Sequence, residues 1–428
     1  MNNNAPAKPR SFGGLDYLKI NLMALAITAL WQSLHSIILP IRILDFVAES
    51  QKNTYLGLIT FAGLMLAMLA QPLAGALSDR ARFSMGRRRP FILGGTLLLV
   101  VFLTLFGASP NYAVLLVAYC LMQISSNIIQ GPYQAFIPEL VPADKRGLAS
   151  GIKNMTEILG GALLVFISPR LMSNYSPGEG AYWLWLTLGI IGGLVIFSTL
   201  ATVLWVKEPR PTARQAPQPF WKTALGTFKL DMRRDRPFLW FLASRLLVYM
   251  SLATIQQFAL YFFKDVVGVD DPAGASANFI VLAVVGMLAA AYPAGRLCDH
   301  AGRKPVAIGA ALLGALAILL IIVLPKEYNL LLFPAVLLGM ALGAFASSNW
   351  AMATDLVPPG EEARYLGIAN MATAGGAALA RLIGPVIDFF NGQAVNLGYQ
   401  VMLFFCLAYF LLGALLLLKV KKGATSQT

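Results

Sequence analysis

Gly75-Ala-Leu-Ser-Asp79-Arg80-Ala-Arg82-Phe-Ser-Met-Gly86-Arg87-Arg88-Arg89-Pro90 is a short basic connection between two long apolar runs. Crossing the hydrocarbon of a bilayer takes roughly 20 apolar residues in a helix. Tyr55 to Leu77 before the connection meets that length, and so does Phe91 to Ser109 after it, with its ends in the headgroups. The connection carries five arginines, Arg80, Arg82, Arg87, Arg88 and Arg89, against the single acid Asp79. Short loops rich in Lys and Arg stay on the cytoplasmic side of a membrane, which predicts that side for this one.

A weaker copy, Gly295-Arg-Leu-Cys-Asp299-His-Ala-Gly302-Arg303-Lys304-Pro305, again lies between apolar runs. Gly75 and Gly295, like Asp79 and Asp299, are 220 positions apart, and Gly86 and Gly302 are 216 apart in a chain of 428 residues. Two further echoes keep the offset of 216: Glu139-Leu-Val-Pro142 with Asp355-Leu-Val-Pro358, and Gly151-Ile-Lys-Asn-Met155 with Gly367-Ile-Ala-Asn-Met371. One half of the chain is thus related to the other.

Two halves that each place this loop after their second span resemble the major facilitator superfamily, over almost the whole chain. The longer pattern Gln71-Pro72-x-x-Gly75-x-x-Ser78-Asp79-Arg80 with Gly86-Arg-Arg-Arg-Pro-Phe91, and Gln130-Gly131-Pro132 downstream, resembles the sucrose/proton symporter branch. The related glycoside-pentoside-hexuronide symporters share its Asp-Arg and Gly-Arg-x-Arg-Pro parts. The resemblance implies an all-α membrane protein with twelve transmembrane helices in two pseudo-symmetric six-helix halves.

Composition agrees. A hydrophobic fraction of 57%, a charged fraction of 12% and a mean hydropathy of +0.68 do not suit a chain folded in water. The net charge of +13 is read as a cytoplasmic membrane face. Most Lys and Arg fall in the N-terminus, the predicted cytoplasmic loops and the tail, where they set orientation and meet anionic lipid. No basic patch is interleaved with exposed aromatics, so nucleic acid is not an expected partner. Cys120, Cys298 and Cys406 have neither disulfide-framework nor metal-ligand spacing, and no cofactor is implied. The first apolar run has no small-residue cleavage site and reads as a span rather than a signal peptide.

Twelve spans are predicted: 17–40, 54–77, 91–109, 111–136, 148–170, 181–206, 238–262, 275–297, 305–324, 330–353, 366–389 and 398–419. An even count with a basic start places both termini in the cytoplasm of a multi-pass cell (inner) membrane protein. Residues 1–206 form one half and 238–428 the other. The Pro-, Lys- and Arg-rich stretch 207–237 joins them, and Phe220 to Phe228 has the composition of a short interfacial helix. Small residues gather at Gly160-Gly161, Gly192-Gly193 and Ala372 to Ala380, where helices can approach closely to pack or to slide.

Ionisable groups deep in the spans are the informative class, because each costs roughly 2.5 to 3.5 kcal/mol on insertion scales and persists where it meets a cavity or a partner. Lys153 and Glu157 share one face of the fifth span at i, i+4, with Asn154 beside them. At about 1.5 Å per residue from Gly147, Glu157 lies roughly 15 Å deep. It is the first candidate for a titrating carboxylate, with a packing ion pair to Lys153 as the structural alternative. The second half has Ala369 and Thr373 in their places. Arg245, followed by Tyr249, Gln256 and Gln257, stands on the seventh span. On the eleventh span Asp388, seven residues after Arg381, returns to the same face two turns later, either as a salt bridge or as binding groups. A guanidinium fork suits vicinal hydroxyls or a carboxylate.

In the superfamily the first, fourth, seventh and tenth helices line the central cavity. By resemblance, Trp31 and Gln32, Gln123, Asn127 and Gln130, and Asn349 and Trp350 become candidate substrate contacts alongside Asn154, Arg245, Gln256, Gln257 and Arg381. His35 joins Glu157, Lys153 and Asp388 as a candidate for proton coupling. The sucrose symporters carry an aspartate where this chain has Gln123, and a histidine that aligns roughly with Asn53. Coupling through their usual acid therefore passes to Glu157 or is absent. The sodium-binding acids of the melibiose-type branch have no match in spans two and four. The resemblance also implies a cytoplasmic gate of Gly75, Asp79, Arg80, Gly86, Arg87, Glu139, Arg146, Asp299, Arg303, Asp355 and Arg364. Asp79 with Arg80, Glu139 with Arg146, and their duplicates Asp299, Asp355 and Arg364 cluster at the cytoplasmic helix ends, where the carboxylates would pair with loop arginines and helix N-termini in one conformation and separate in the other, with topology-setting charge as the alternative.

These readings converge on a secondary transporter working by alternating access, taking up a disaccharide or similar glycoside with a proton. The alternatives are a drug or amphiphile exporter, which a wholly apolar cavity would favour, and a non-transporting sensor or assembly factor. An enzyme is not indicated: there is no P-loop, His-Glu-x-x-His or nucleophile elbow.

Overall fold

The computed structural model describes residues 13–81, 83–142, 145–176, 180–206, 208, 235–357 and 361–420. The side chains of Arg80 and of residues 362–364, Arg364 among them, lie outside that description, as do most of 207–237 and the expected interfacial helix Phe220 to Phe228.

Among the described residues, twelve helices are long and apolar enough to cross a membrane: α1 (Gly14–Ile43), α2 (Glu49–Asp79), α3 (Arg89–Gly107), α4 (Tyr112–Leu140), α5 (Arg146–Met172), α6 (Ala181–Trp205), α7 (Arg236–Val267), α8 (Pro272–Ala301), α9 (Arg303–Val323), α10 (Tyr328–Leu356), α11 (Tyr365–Asn391) and α12 (Leu397–Leu418). Each coincides with an expected span. Several run longer than expected because hydropathy stops at the first polar residue and a helix does not. Lys52 and Asn53, for instance, continue α2 beyond the apolar run.

The internal repeat is visible in packing. In the first half α1 lies on α5 and α6, α2 on α4, and α3 on α4 and α6. The second half repeats this list six helices later: α7 on α11 and α12, α8 on α10, and α9 on α10 and α12. Single residues repeat as well. Gly131 of α4 faces the backbone of α2 so closely that an added Cβ would lie 2.5 Å from the Gln71 carbonyl oxygen. The matching position in α10 is Ser347, whose hydroxyl donates to the Ala291 carbonyl at 3.2 Å. The loop glycines Gly86 and Gly302 share positive φ values of 109° and 88°, a conformation that side chains rarely adopt.

The halves meet where α5 lies beside α8 and α2 beside α11. At the end of the molecule opposite the basic loops, here termed the outer end, α2 and α11 touch main chain to main chain. A Cβ on Gly57 would collide with the Arg381 carbonyl oxygen, and one on Gly384 would lie 2.8 Å from the Asn53 carbonyl carbon. Around this seam Lys52 Nζ is 2.7 Å from Asp265, and Lys264 pairs with Glu49. The Tyr261 hydroxyl donates to the Pro40 carbonyl at 2.8 Å.

α11 is not one regular helix. A tighter turn at Arg381–Ile383 is followed by Gly384 and Pro385, which cannot donate its backbone hydrogen bond. The break shifts the angular phase, so the seven-residue spacing does not return Asp388 to the face of Arg381. The salt bridge weighed from the sequence is not formed. Arg381 donates to the Ala377 carbonyl, while Asp388 accepts from Asn53.

Candidate functional site

A cavity of about 260 Å³ lies between the halves. Its polar groups come from Thr28 and Gln32 of α1, Glu157 of α5 and Gln256 of α7, facing an apolar wall that includes Phe279, Val284 and Met287 of α8 and Leu338 of α10. The Gln256 amide donates to Gln32 Oε1 at 3.0 Å, a bond from one half to the other. Gly160 explains part of the shape. A Cβ there would lie 2.8 Å from Leu25 Cα, so α1 and α5 approach closely while the next residue, Gly161, leaves room in the cavity. Glu157 is part-exposed there, with Lys153 Nζ at 3.5 Å one turn away. Asn154 is exposed and does not line the cavity.

Most of the first-half candidates form a second cluster beside it. Trp31 Nε1 donates to Ser126 Oγ at 2.8 Å, and Gln130 donates to the same hydroxyl at 3.1 Å. Tyr119 OH stands 2.7 Å from His35 Nε2 and accepts from Gln123 Nε2 at 2.9 Å. The Asn127 amide turns back to the Gln123 carbonyl, 2.8 Å away. The Trp31 ring meets Tyr119 edge-on with centroids 5.8 Å apart. His35 sits in a wider π-turn, Leu34–Ile38, a local irregularity common at functional sites. Sequence reasoning left Tyr119 out of the site, although it stands four residues before Gln123 and seven before Ser126, the spacing of one helix face.

The second-half candidates divide. Arg245 Nε donates to Thr373 Oγ1 at 2.7 Å, Nη1 donates to Asn349 Oδ1, and the guanidinium lies 5.4 Å and 5.8 Å from the ring centres of Tyr249 and Trp350. Thr373 is the repeat counterpart of Glu157, so the position that holds a carboxylate in one half binds an arginine in the other. Gln257 is buried, with no partner for Nε2 among the described residues. Neither arginine lines the cavity, nor does Asp388. Asp388 belongs to the outer seam, where it accepts from Asn53 Nδ2 at 2.8 Å and from the Thr54 N–H at 2.6 Å. It thereby caps the first turn of α2 from the opposite half.

At the basic-loop end Asp79, Glu139 and Asp355 pair with arginines of the loops, in two brackets, one in each half. Asp79 pairs with Arg88 at 2.6 Å. Glu139 pairs with Arg88 and, at 2.5 Å, with Arg87, not with Arg146. Arg146 instead donates to the Pro138 and Val141 carbonyls at 2.6 and 3.1 Å, because it opens α5 beside the chain that ends α4. The second bracket, Arg303 with Asp355 at 2.5 Å, is the Arg87–Glu139 pair carried forward by 216 positions. Asp299 is exposed, and a Cβ added to Gly75 would meet the Gly131 carbonyl at 4.0 Å, an ordinary van der Waals contact.

Sequence reasoning also missed Glu208. Its carboxylate accepts from three consecutive backbone N–H groups, those of Arg87, Arg88 and Arg89, at 2.8, 3.0 and 2.9 Å. These are unsatisfied donors at the start of α3, where the helix dipole also favours an anion. A Cβ on Gly86 would lie 2.9 Å from that carboxylate, a second reason for glycine there. Glu208→Ala is expected to lower stability by about 1 to 2 kcal/mol, the usual loss for such a cap. An unchanged midpoint in thermal unfolding of the purified protein would exclude the brace.

Among the described residues no group of His, Cys, Asp and Glu could hold a metal ion.

The chain matches the family described as MFS/sugar transport protein over residues 23–421. It is 27% identical over 152 residues to the sucrose transport protein SUT2 of Oryza sativa subsp. indica, a stretch covering 31% of this chain and 29% of the rice protein. The match thus spans less than a third of that curated relative. Among solved structures it is similar to the nucleoside transporter NupG, with a TM-score of 0.73 and 14% identity over 95% of this chain and 100% of that one. It is also similar to a D-xylose-proton symporter, with a TM-score of 0.72 and 16% identity over 95% and 97%. At such identities the structural likeness establishes the fold. The relatives and neighbours are transporters, not enzymes.

Proposed function

The chain belongs to the MFS/sugar transport protein family, and from that premise we propose a proton-coupled symporter that carries a disaccharide or glycoside by alternating access. It would act in the cell (inner) membrane, with its basic loops and both termini in the cytoplasm. The observation that carries this reading is the cavity shared by the two halves, where Gln32 and Gln256 offer amides to hydroxyls and Glu157 is a carboxylate within reach of a solute. The seam at the outer end supports it too, since a site closed there and served by separate brackets at the other end is what an alternating carrier needs. Glu157 is the coupling group in this reading, protonated on one side of the cycle and paired with Lys153 on the other.

Uptake of labelled sucrose and maltose into proteoliposomes, with and without an imposed pH gradient, tests it. Accumulation should follow the gradient. Glu157→Gln should abolish accumulation while leaving counterflow exchange in place, and a variant that still accumulates removes Glu157 from coupling. The apolar wall of α8 and α10 favours a second reading, an exporter of amphiphiles. That reading gains if neither sugar moves and a lipophilic cation is expelled from the same vesicles.

A further inference from the structure

The two halves treat their deep cations differently. On α5 the Glu157 carboxylate stands 3.5 Å from Lys153 Nζ. The repeat position of Glu157 on α11 is Thr373, whose hydroxyl accepts from Arg245 Nε at 2.7 Å, so the cation meets a neutral group there. Arg245 Nη1 donates to Asn349 Oδ1, a second neutral acceptor, and Nη2 has no hydrogen-bond partner among the described residues. The Tyr249 and Trp350 rings, 5.4 and 5.8 Å from the guanidinium, offset part of its charge. None of the ion pairs among the described residues includes Arg245 or Arg381. The acids on neighbouring elements are engaged elsewhere: Glu157 faces Lys153, Asp265 holds Lys52, and Asp388 takes Asn53 and Thr54.

Arg245 lies nine residues into α7, about 14 Å along its axis, and is 5% exposed. A charge at that depth is costly and persists where a partner meets it. Asn349, 0% exposed, marks where the partner binds. A guanidinium has donors alone, so the amide oxygen must face Arg245 and Nδ2 must face away, where it is buried and has no partner among the described residues. Arg245 Nη2 and Asn349 Nδ2 are therefore neighbouring N–H donors, joined through one hydrogen bond and both uncommitted. Arg381, eight residues beyond Thr373 and about 12 Å along α11, adds positive potential from the same side. A neutral solute would take up these hydrogen bonds and leave the charge standing. A sulfate or phosphate would bring two charges and four oxygens to two free donor groups. A monatomic anion accepts from any direction and balances one charge. We propose that Arg245 and Asn349 hold a halide ion, chloride in ordinary salt, as the counter-ion of the second half, in the place that the Glu157 carboxylate takes in the first. This site is separate from the cavity and independent of the solute carried.

The test is thermal unfolding of the purified full-length protein in sodium gluconate, with chloride substituted stepwise at constant total salt. Chloride should raise the midpoint along a saturating curve by at least about 2 °C, as a ligand of the folded state does, and bromide should replace it. Asn349→Asp and Thr373→Asp each set a fixed carboxylate beside Arg245, and either should abolish the chloride increment. Arg245→Gln should abolish it by removing the cation. Each variant is compared with itself in gluconate, so any one of the three that folds decides the location. A midpoint of the unaltered protein that does not respond to chloride overturns the proposal. So does a saturating increment that persists undiminished in the variants, because the ion is then bound elsewhere.

Discussion

Gly57→Ala is expected to reduce uptake on the order of 100-fold. The added methyl would be driven into the Arg381 carbonyl, and both surfaces at that point are main chain, so neither can turn aside. Overpacking costs about 1 to 3 kcal/mol, and a contact between two backbones belongs at the upper end. The substitution improves helix propensity by about 1 kcal/mol, so lost activity would not reflect a weakened α2. The protein should be held with its outer end parted. With the native cysteines replaced, a cysteine introduced at Ile255 beside the cavity should then react with an impermeant thiol reagent added from the outer side. Uptake within twofold of the parent would show that the seam need not close during transport.

The second large effect is expected at Lys52, which is 2% exposed and pairs with Asp265 of the other half. Its ammonium also lies 5.1 Å from the centre of the Tyr261 ring, whereas the pairing with Glu49 is at the exposed rim and adds little. Removing one partner of a buried pair costs about 3 to 5 kcal/mol, and the low end applies here because Asp265 is 19% exposed and keeps the Tyr399 hydroxyl 2.5 Å from Oδ2. Since that pair exists when the halves meet, Lys52→Met should shift the balance of conformations away from the closed outer end by about 100-fold or more. The same thiol-labelling assay reads the shift. Adding Asp265→Asn should return part of the closed population, because the stranded carboxylate is then gone. Equal labelling of Lys52→Met and the parent would assign the pair no part in closure.

Much of this fold was legible before any coordinates. Twelve apolar runs of sufficient length and a loop motif repeated near half the chain length led to twelve helices in two related halves, and the offset of 216 also relates Arg87–Glu139 to Arg303–Asp355. The direction each helix faces was far less legible. In a bilayer the outward surface is as apolar as the buried one, so the periodic contrast that orients a helix in water is missing. Asp388 illustrates the result. Its partners Asn53 and Thr54 lie more than 300 positions away, and the turn at Arg381 that removes it from that residue's face was marked only by the Gly384-Pro385 pair. Glu208 was hidden in another way, since its partners are backbone amides, which carry no residue-type signal. Lys153 and Glu157 were found because four residues on one helix is a local relation.

Glu208 also stands where the chain leaves the first half for the second. The head of α3 that its carboxylate caps is joined, through the Arg88 guanidinium, to the carboxylates of Asp79 and Glu139. Loosening that cap would therefore unsettle two ion pairs it does not touch.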